Sequence, residues 1–333
     1  MINKFLETLY SKVFINIIVD NSHTTVYIEV CSKNNIVDTI EKTFKTTGIN
    51  TKVYEFVKLY AKESPFNYIS VLDNSPSQGA IPTSKSSEMG IYTDIDSTKT
   101  ISLNDWSVYS SEYDLNSIVN EYESIGVDFI FSPFLIMSRF FKDKINNTLS
   151  MFILIESNYL SMAIFDNSHL LYGEYIDVRH QNDDDLLMNA SLDDDSTDIG
   201  DINLDEIDID EDSSLDDFAD IEDLDSTSEI NEFSEAKEIK EVQHDAADDT
   251  IDSVGFDEDY KRFLLIQHSL NIFYKDDKYD SQFIEHVYIA DSIGITNSLK
   301  KYLEEEMFLS VYVRKIELCV EVSEMAKAEL NEI

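Results

Sequence analysis

Apolar residues along this chain fall into short runs of two kinds, strand-like and helix-like, and the two alternate. Val13–Val19 is a β-branched run that predicts a buried strand, and Thr24–Val30 (TTVYIEV) predicts a second, joined through the turn Asp20-Asn21-Ser22-His23. Asn34-Asn35 marks another turn before a third strand near Ile36–Thr43. Val53, Phe56, Val57 and Tyr60 then share one face of a helix over Thr51–Lys62, which Pro65 stops. Phe66–Leu72 reads as a strand, and Asp73–Met89, with Pro76, Gly79, Pro82 and many serines, as a loop. Within it, Ser77–Thr83 is a compact segment that reads equally as an ordered surface loop or an idle connector. Trp106–Ser110 predicts a strand, Tyr113–Ser124 a helix with Leu115, Ile118, Val119 and Tyr122 on one side, and Val127–Phe131 a strand. Pro133–Phe141 is a short helix with proline in its first turn.

The pattern then restarts. Ser150–Glu156, Tyr159–Asp166 and Leu170–Val178 predict three strands with tight turns at Ser157-Asn158 and Asn167-Ser168. Later come a long amphipathic helix over Asp259–Tyr274, a strand at His286–Ala290 and a helix over Thr296–Met307. A strand at Ser310–Val313 and a closing helix over Ile316–Leu330 finish the chain. The layout is hairpin, strand, helix, strand, helix, twice over, beginning near Val13 and near Ser150. The repeat is one of topology, with no residue-level similarity.

Charge separates the second unit into two parts. Gln181–Asp259 holds 32 Asp and Glu against two Lys and no Arg, a net of −30, whereas the other 254 residues hold 35 acids and 23 bases. Such a density has no route to a packed core, so a disordered insert is expected at 181–259. Single apolar residues recur between its acids (Ile199, Ile202, Leu204, Ile207, Ile209, Leu215, Phe218, Ile221, Leu224), an alternation typical of interaction segments as well as compatible with an idle spacer. Asp208, Asp210 and Asp212 alternate as in a calcium loop, but Ser213 stands where the loop glycine is needed, so no calcium site is expected. The segment boundaries read from the chain are 1–147, 148–180, 181–259 and 260–333.

A protein of net charge −42 repels phosphates and anionic headgroups, which excludes nucleic acid and membrane surfaces as direct partners and favours a basic protein patch. Val127–Phe141, the most apolar stretch, contains Asp128, Pro133 and Arg139, so direct membrane insertion is not expected. Met1–Lys12 carries Lys4, Glu7 and Lys12 and no apolar core, so no export signal is expected either. Cys31 and Cys319 are two thiols far apart, which suits a reducing compartment and small buried apolar roles. The six histidines show no HxxxH spacing and there is no CxxC, so no metal is expected. P-loop, Rossmann and GxSxG fingerprints are absent from the sequence.

The strand–turn–strand units at Asp20 and Glu156 resemble the hairpins of the actin/Hsp70-type ATPase fold. The end of the chain adds to this, with the helix YKRFLLIQHSLNIFY, the strand HVYIA, a turn at Gly294, the helix SLKKYLEEEM and the strand SVYV. That succession is similar to the actin-like proteins of type IV pilus and type II secretion assembly, the PilM and GspL group. MFILIESNYLSMAIFDNSHLLYGEYI resembles the second phosphate hairpin. The resemblance covers about Val13–Tyr312 outside the insert and implies an α/β, actin-like (ribonuclease H-like) duplicated fold of two subdomains.

Three loops depart from that pattern. Phosphate hairpins use glycine because only glycine lets backbone N–H groups approach closely. Here the first reads Asp20-Asn21-Ser22-His23-Thr24-Thr25 and the second Glu156-Ser157-Asn158, and the adenosine turn is Asp291-Ser292-Ile293-Gly294. The vestigial pocket would be formed by Asp20, Ser22, Thr24, Thr25, Glu156, Ser157 and Asp291. In an active relative, Asp20 would stand at the magnesium and Glu156 at a general base. Asp-Asn-Ser is also ordinary turn chemistry, which is the reading preferred for Asp20. The expectation is therefore a pseudo-ATPase with no cofactor, acting as a non-catalytic cytoplasmic adaptor of a pilus-like, type II secretion or DNA-uptake assembly. It would reach the inner membrane peripherally, through a membrane-anchored protein partner. A divergent ATPase and an unrelated scaffold acting through its acidic segment are the alternatives.

Overall fold

Two five-stranded sheets with the same strand order organise the chain. The computed structural model describes residues 10–32, 35–179, 249–294 and 297–332, with side chains described except at 249–257, 297 and 331–332. In the first lobe, β1 (Lys12–Val19) pairs antiparallel with β2 (Thr24–Ser32), and β2 with β3 (Asn35–Phe44). Helix α1 (Thr51–Ala61) crosses over to β4 (Phe66–Leu72), which lies parallel to β1, and β8 (Phe129–Phe131) lies parallel to β4. The order is β3-β2-β1-β4-β8.

The second lobe repeats it. β9 (Ser150–Ile155), β10 (Tyr159–Asp166) and β11 (His169–Asp177) form the meander, and β12 (His286–Asp291) and β13 (Ser310–Lys315) extend it in parallel. The order is β11-β10-β9-β12-β13. A meander followed by two parallel strands, present twice in one chain, is the actin-like, ribonuclease H-like duplicated fold that the sequence led us to expect.

The central strands are apolar for a reason of burial. β1 and β9 are covered on both faces, so KVFINIIV and SMFILI read as near-continuous apolar runs rather than alternating ones. The buried polar residue Asn16 is matched by Ser70 on β4, whose hydroxyl donates to Asn16 Oδ1 at 3.0 Å. The edge strand β3 is exposed along most of its length.

Helix α1 covers the outer face of the first sheet through Val53 and Val57. Helix α6 (Asp249–Lys275) and helix α7 (Asn297–Glu305) cover the outer face of the second, with Phe263, Leu265, Ile266, Phe273, Leu299 and Leu303. Between the sheets lie α4 (Pro133–Phe140), α5 (Lys142–Ile145) and α8 (Leu318–Glu332). There Phe134, Met137, Phe141 and Val322 meet Phe14 and Leu72 of the first lobe and Phe152, Leu154 and Phe165 of the second. One continuous apolar core therefore joins the lobes below the turns.

Several elements differ from the sequence reading. The segment 73–89, read as a loop, contains β5 (Gln78–Ile81) and α2 (Ser86–Met89). β6 (Thr98–Leu103), which had no counterpart in that reading, pairs with β7 (Trp106–Ser111) in a small antiparallel sheet of order β5-β7-β6. Helix α3 (Glu112–Glu121) follows it. β5 has only four residues and includes Gly79, too little sequence for a visible alternation. It lies against β11, where Gly173 admits Ala80: a Cβ at 173 would stand 2.7 Å from Ala80 Cβ and 2.8 Å from its carbonyl oxygen. Helix α6 begins at Asp249, so residues 249–259, counted with the acidic insert in the sequence, are helical. Their acids were grouped with the run before them rather than with the periodic apolar positions after. The remainder of the expected disordered insert, 181–248, lies outside the described residues.

Candidate functional site

β1 and β9 hold equivalent places in the two sheets, and each is followed by a turn of the same build. Asp20 N–H donates to the His23 carbonyl at 2.8 Å, and Glu156 N–H donates to the Tyr159 carbonyl at 3.0 Å. The duplication thus places Asp20 and Glu156 at equivalent positions. The two turns touch. Ser157 Oγ donates to Asp20 Oδ2 at 2.9 Å, and Asn21 Nδ2 donates to Asn158 Oδ1. Side chains from the two lobes meet in the space between the hairpins.

Around this contact the strand ends contribute carboxylates. Asp73, just past β4, is buried; its carboxylate accepts from Ser75 N–H at 2.9 Å, Ser75 Oγ at 2.5 Å and Ser110 Oγ at 2.7 Å. Burial nonetheless raises its pKa above the usual carboxylate range. Glu156 is 6 % exposed, and among the described residues its Oε1 has no hydrogen-bond partner. Burial first, then the charges of Asp20 and Asp73, push its carboxyl up to about 8. Near neutrality Glu156 is accordingly protonated. Tyr175 on β11 is also buried, its hydroxyl without a hydrogen-bond partner among the described residues, and its pKa is raised by burial and then by Glu156.

Asp291 is buried and serves its own turn, accepting from Ile293 N–H at 3.0 Å and Gly294 N–H at 2.8 Å. Gly294 has a φ of +75°, the one position in this turn that demands glycine. Ser292 Oγ donates to the Ile155 carbonyl at 2.7 Å, which pins the turn to β9. On the far side, Arg262 of α6, its side chain 3 % exposed, donates to the Ser157 carbonyl at 3.4 Å, Glu258 at 3.2 Å and Asp259 at 3.5 Å. Asp259 also accepts from Leu299 N–H at 3.3 Å, tying α6 to the start of α7.

Of the seven residues singled out from the sequence, Asp20, Glu156 and Ser157 meet at the turn contact, and Asp291 lies at the end of the neighbouring strand. Thr24 is buried in its own lobe, donating to the Thr46 carbonyl at 2.8 Å and accepting from Gly48 N–H at 3.0 Å. Thr25 faces Thr43, hydroxyl to hydroxyl at 3.2 Å, and Ser22 faces His23 Nδ1 at 2.6 Å. Asp73, Asn158, Tyr175 and Arg262 are the additions that the sequence reading did not assign to the site. Asp73 was legible only as the start of a loop, and Arg262 only as one polar residue in an apolar helical run.

The turn contact divides the cleft in two. One recess, of about 210 Å³, is lined by Asp20, Glu41, Glu156, Ser292, Glu317 and Cys319 among others. A second, of about 480 Å³, is lined by Asn21, Thr47, Asp114, Glu121 and Arg179 among others. Asp20, Asn74, Asn158 and Tyr159 line both, because they form the divider. Among the described residues the smaller recess has four carboxyl groups in its lining and no lysine or arginine. The guanidinium of Arg179, in the larger, is held by Asp177 at 2.8 Å and by the Tyr159 hydroxyl. Among the described residues no three His, Cys, Asp or Glu side chains are grouped to hold a metal ion. Cys31 is buried and Cys319 half-buried, and burial raises the pKa of both thiols, that of Cys319 to about 12. Neither is a poised nucleophile. Among the described residues no helix is long and apolar enough to cross a membrane.

Comparison with known proteins adds two domain families. A model described as Domain of unknown function (DUF8569) matches residues 10–138, and one described as Domain of unknown function (DUF8341) matches residues 151–331. No curated protein matches the chain. Among solved structures, one similar chain is a Bacteroides thetaiotaomicron protein with actin-like ATPase fold and unknown function, at 9% identity and a TM-score of 0.43, covering 97% of this chain and 98% of that one. Another is the PilM–PilN type IV pilus biogenesis complex, at 9% identity and a TM-score of 0.46, covering 91% and 88%. A third is MreB5 of Spiroplasma citri bound to AMPPNP, at 9% identity and a TM-score of 0.42, covering 96% and 97%. The fold itself rests on the two matching sheet orders.

Proposed function

We propose that this chain, which belongs to the family described as Domain of unknown function (DUF8341) through residues 151–331, is a non-catalytic actin-like adaptor that works by binding protein partners. The contact between the two turns carries this reading. A triphosphate in this fold lies between the hairpins and is held by their backbone N–H groups. Here the Ser157–Asp20 and Asn21–Asn158 bonds fill that space with side chains, and the carboxylate of Asp20 opposes a polyanion. Preorganised donors contribute about 3 kcal/mol each to this kind of catalysis, and neither turn has a glycine to let its backbone N–H groups approach a phosphate closely. The protein is thus a pseudo-ATPase.

The adaptor role is supported by charge. A segment of net −30 at 181–259 suits recruitment of a basic component, while the mildly acidic folded body is free to dock on another. The resemblance of the hairpins and the C-terminal succession to the PilM and GspL group directs the proposal to a pilus-like, type II secretion or DNA-uptake assembly. There the protein would be cytoplasmic and reach the inner membrane through a membrane-anchored partner. The test is co-purification from native cells of the full chain and of a chain lacking 181–248, at rising NaCl. The proposal expects one component retained by both chains, and a basic one lost on deletion and released by salt. Loss of every partner on deletion would make the acidic segment alone the functional part.

A further inference from the structure

Beside the turn contact lies a buried carboxyl group, that of Glu156. Glu156 comes from the second lobe, and the two carboxylates whose charges act on it, Asp20 and Asp73, come from the first. The three converge from the ends of β9, β1 and β4 at the contact between the two turns. Among the described residues Glu156 Oε1 has no hydrogen-bond partner, and burial and the neighbouring charges all disfavour a charge there. The neighbouring residue, Ser157, makes the bond to Asp20, and the next, Asn158, makes the bond to Asn21. The group that changes charge and the groups that hold the lobes together are consecutive in one turn.

We propose that this junction is a proton-controlled latch: one proton on Glu156 keeps the two turns in contact, and its loss drives them apart and joins the two recesses into one open cleft.

Among the described residues, the charged and titratable neighbours act in the same sense or are already committed. Asp20 and Asp73 repel an ionised Glu156 directly. Tyr159 and Tyr175, stacked at 5.0 Å between ring centres on β10 and β11, have their pKa values raised by burial and remain neutral. Asp291, at the end of β12, adds a carboxylate whose oxygen caps its own turn. Glu41 and Glu317 lie across the smaller recess, and Cys319 beside them is neutral. Arg262 of α6, which reaches the same turn, is committed to the Ser157 carbonyl, Glu258 and Asp259. Arg179 is held by Asp177. An ionised Glu156 has two ways to lower its energy: take up its proton again, or leave the junction for water. The recess of about 210 Å³ against it gives water a route. The core around Phe134, Phe141 and Phe152 keeps the lobes connected while the turns separate.

The latch needs no nucleotide, so its test is separate from any test of catalysis. Small-angle scattering and amide exchange at residues 20–23 and 156–159 are measured on the full chain at pH 6 and pH 9, for wild type and Glu156→Gln. Wild type is expected to expand and to lose protection in both turns at pH 9, with an unchanged far-ultraviolet circular dichroism spectrum. Glu156→Gln, which keeps the shape and has no proton to lose, is expected to remain closed at both pH values. A second reading needs no variant. The infrared band of a buried protonated carboxyl is followed in wild type and should vanish over the same pH interval in which the turns open. Equal opening of wild type and Glu156→Gln overturns the latch. So does a closed wild type at pH 9, loss of the whole fold instead of the turn contact, or a carboxyl band that persists in the open form.

Discussion

Ser157 of the second lobe donates its hydroxyl to the carboxylate of Asp20 in the first, at 2.9 Å. The two residues belong to turns that have equivalent places in a duplicated fold, so the bond spans the axis of the duplication. A hydrogen bond to a charged group contributes about 1.5–3 kcal/mol, less where water competes, and Asp20 is only partly buried. Ser157→Ala is expected to cost about 1 kcal/mol of stability and to raise amide exchange in both turns, with exchange in β9 and β12 unchanged. Exchange that rises only in the mutated turn would show that the lobes do not depend on this bond.

Stability should fall as pH rises through neutrality. Glu156 has a folded-state pKa raised from 4.5 to about 8. A raised carboxyl pKa contributes stability that is fully present below about 4.5 and is lost as pH climbs through about 8. Asp73, raised by burial, adds to the loss with the same sign. Melting temperatures measured from pH 4.5 to 9 should decline for wild type and decline less for Glu156→Gln, the gap widening toward alkaline pH. A wild-type melting temperature that climbs over this range would contradict the burial of a neutral Glu156.

The hairpins and parallel strands of both lobes were legible in the sequence, because β1, β9 and β10 are largely buried and read as near-continuous apolar runs. The repeated hairpin–strand–helix–strand–helix order gave the duplication. The small sheet was not legible: β5 is four residues long, and β6, TKTISL, is mostly exposed, so neither needs an apolar pattern. Asp20, Ser157 and Glu156 were identifiable from their turns. That the turns bond to each other was not, since a contact between residues 137 apart leaves no trace in local spacing. The turns meet side chain to side chain.

The C-terminal helix α8 returns to the first lobe and is anchored there by a buried ion pair. Lys327 Nζ lies 2.7 Å from Glu29 Oε2, and the Glu29 side chain is 1 % exposed. The Tyr27 hydroxyl donates to its other oxygen at 3.0 Å. Removing one partner of such a pair costs about 3–5 kcal/mol because the other charge stays buried. Lys327→Ala is expected to destabilise by that order in chemical denaturation, and Glu29→Gln with Lys327→Met to recover most of it. A Lys327→Ala loss below about 1 kcal/mol would mean that Glu29 reaches water.

Gly173→Ala should destabilise the junction of the small sheet with β11. The added methyl would sit 2.7 Å from Ala80 Cβ and 2.8 Å from its carbonyl oxygen, against backbone that has little room to move. Overpacking of this kind costs about 1–3 kcal/mol, and the expected reading is a lower denaturation midpoint with an unchanged slope. A neutral result would show that β5 is free to shift away from β11.

The central claim, that the hairpins are closed to phosphates, is tested most directly by titrating the purified chain with ATP and Mg²⁺ in a calorimeter at pH 7, where Glu156 is protonated and the turns are in contact. The account predicts no binding heat above that of dilution. Saturable micromolar binding that Asp20→Ala abolishes would contradict it and make the chain a divergent ATPase.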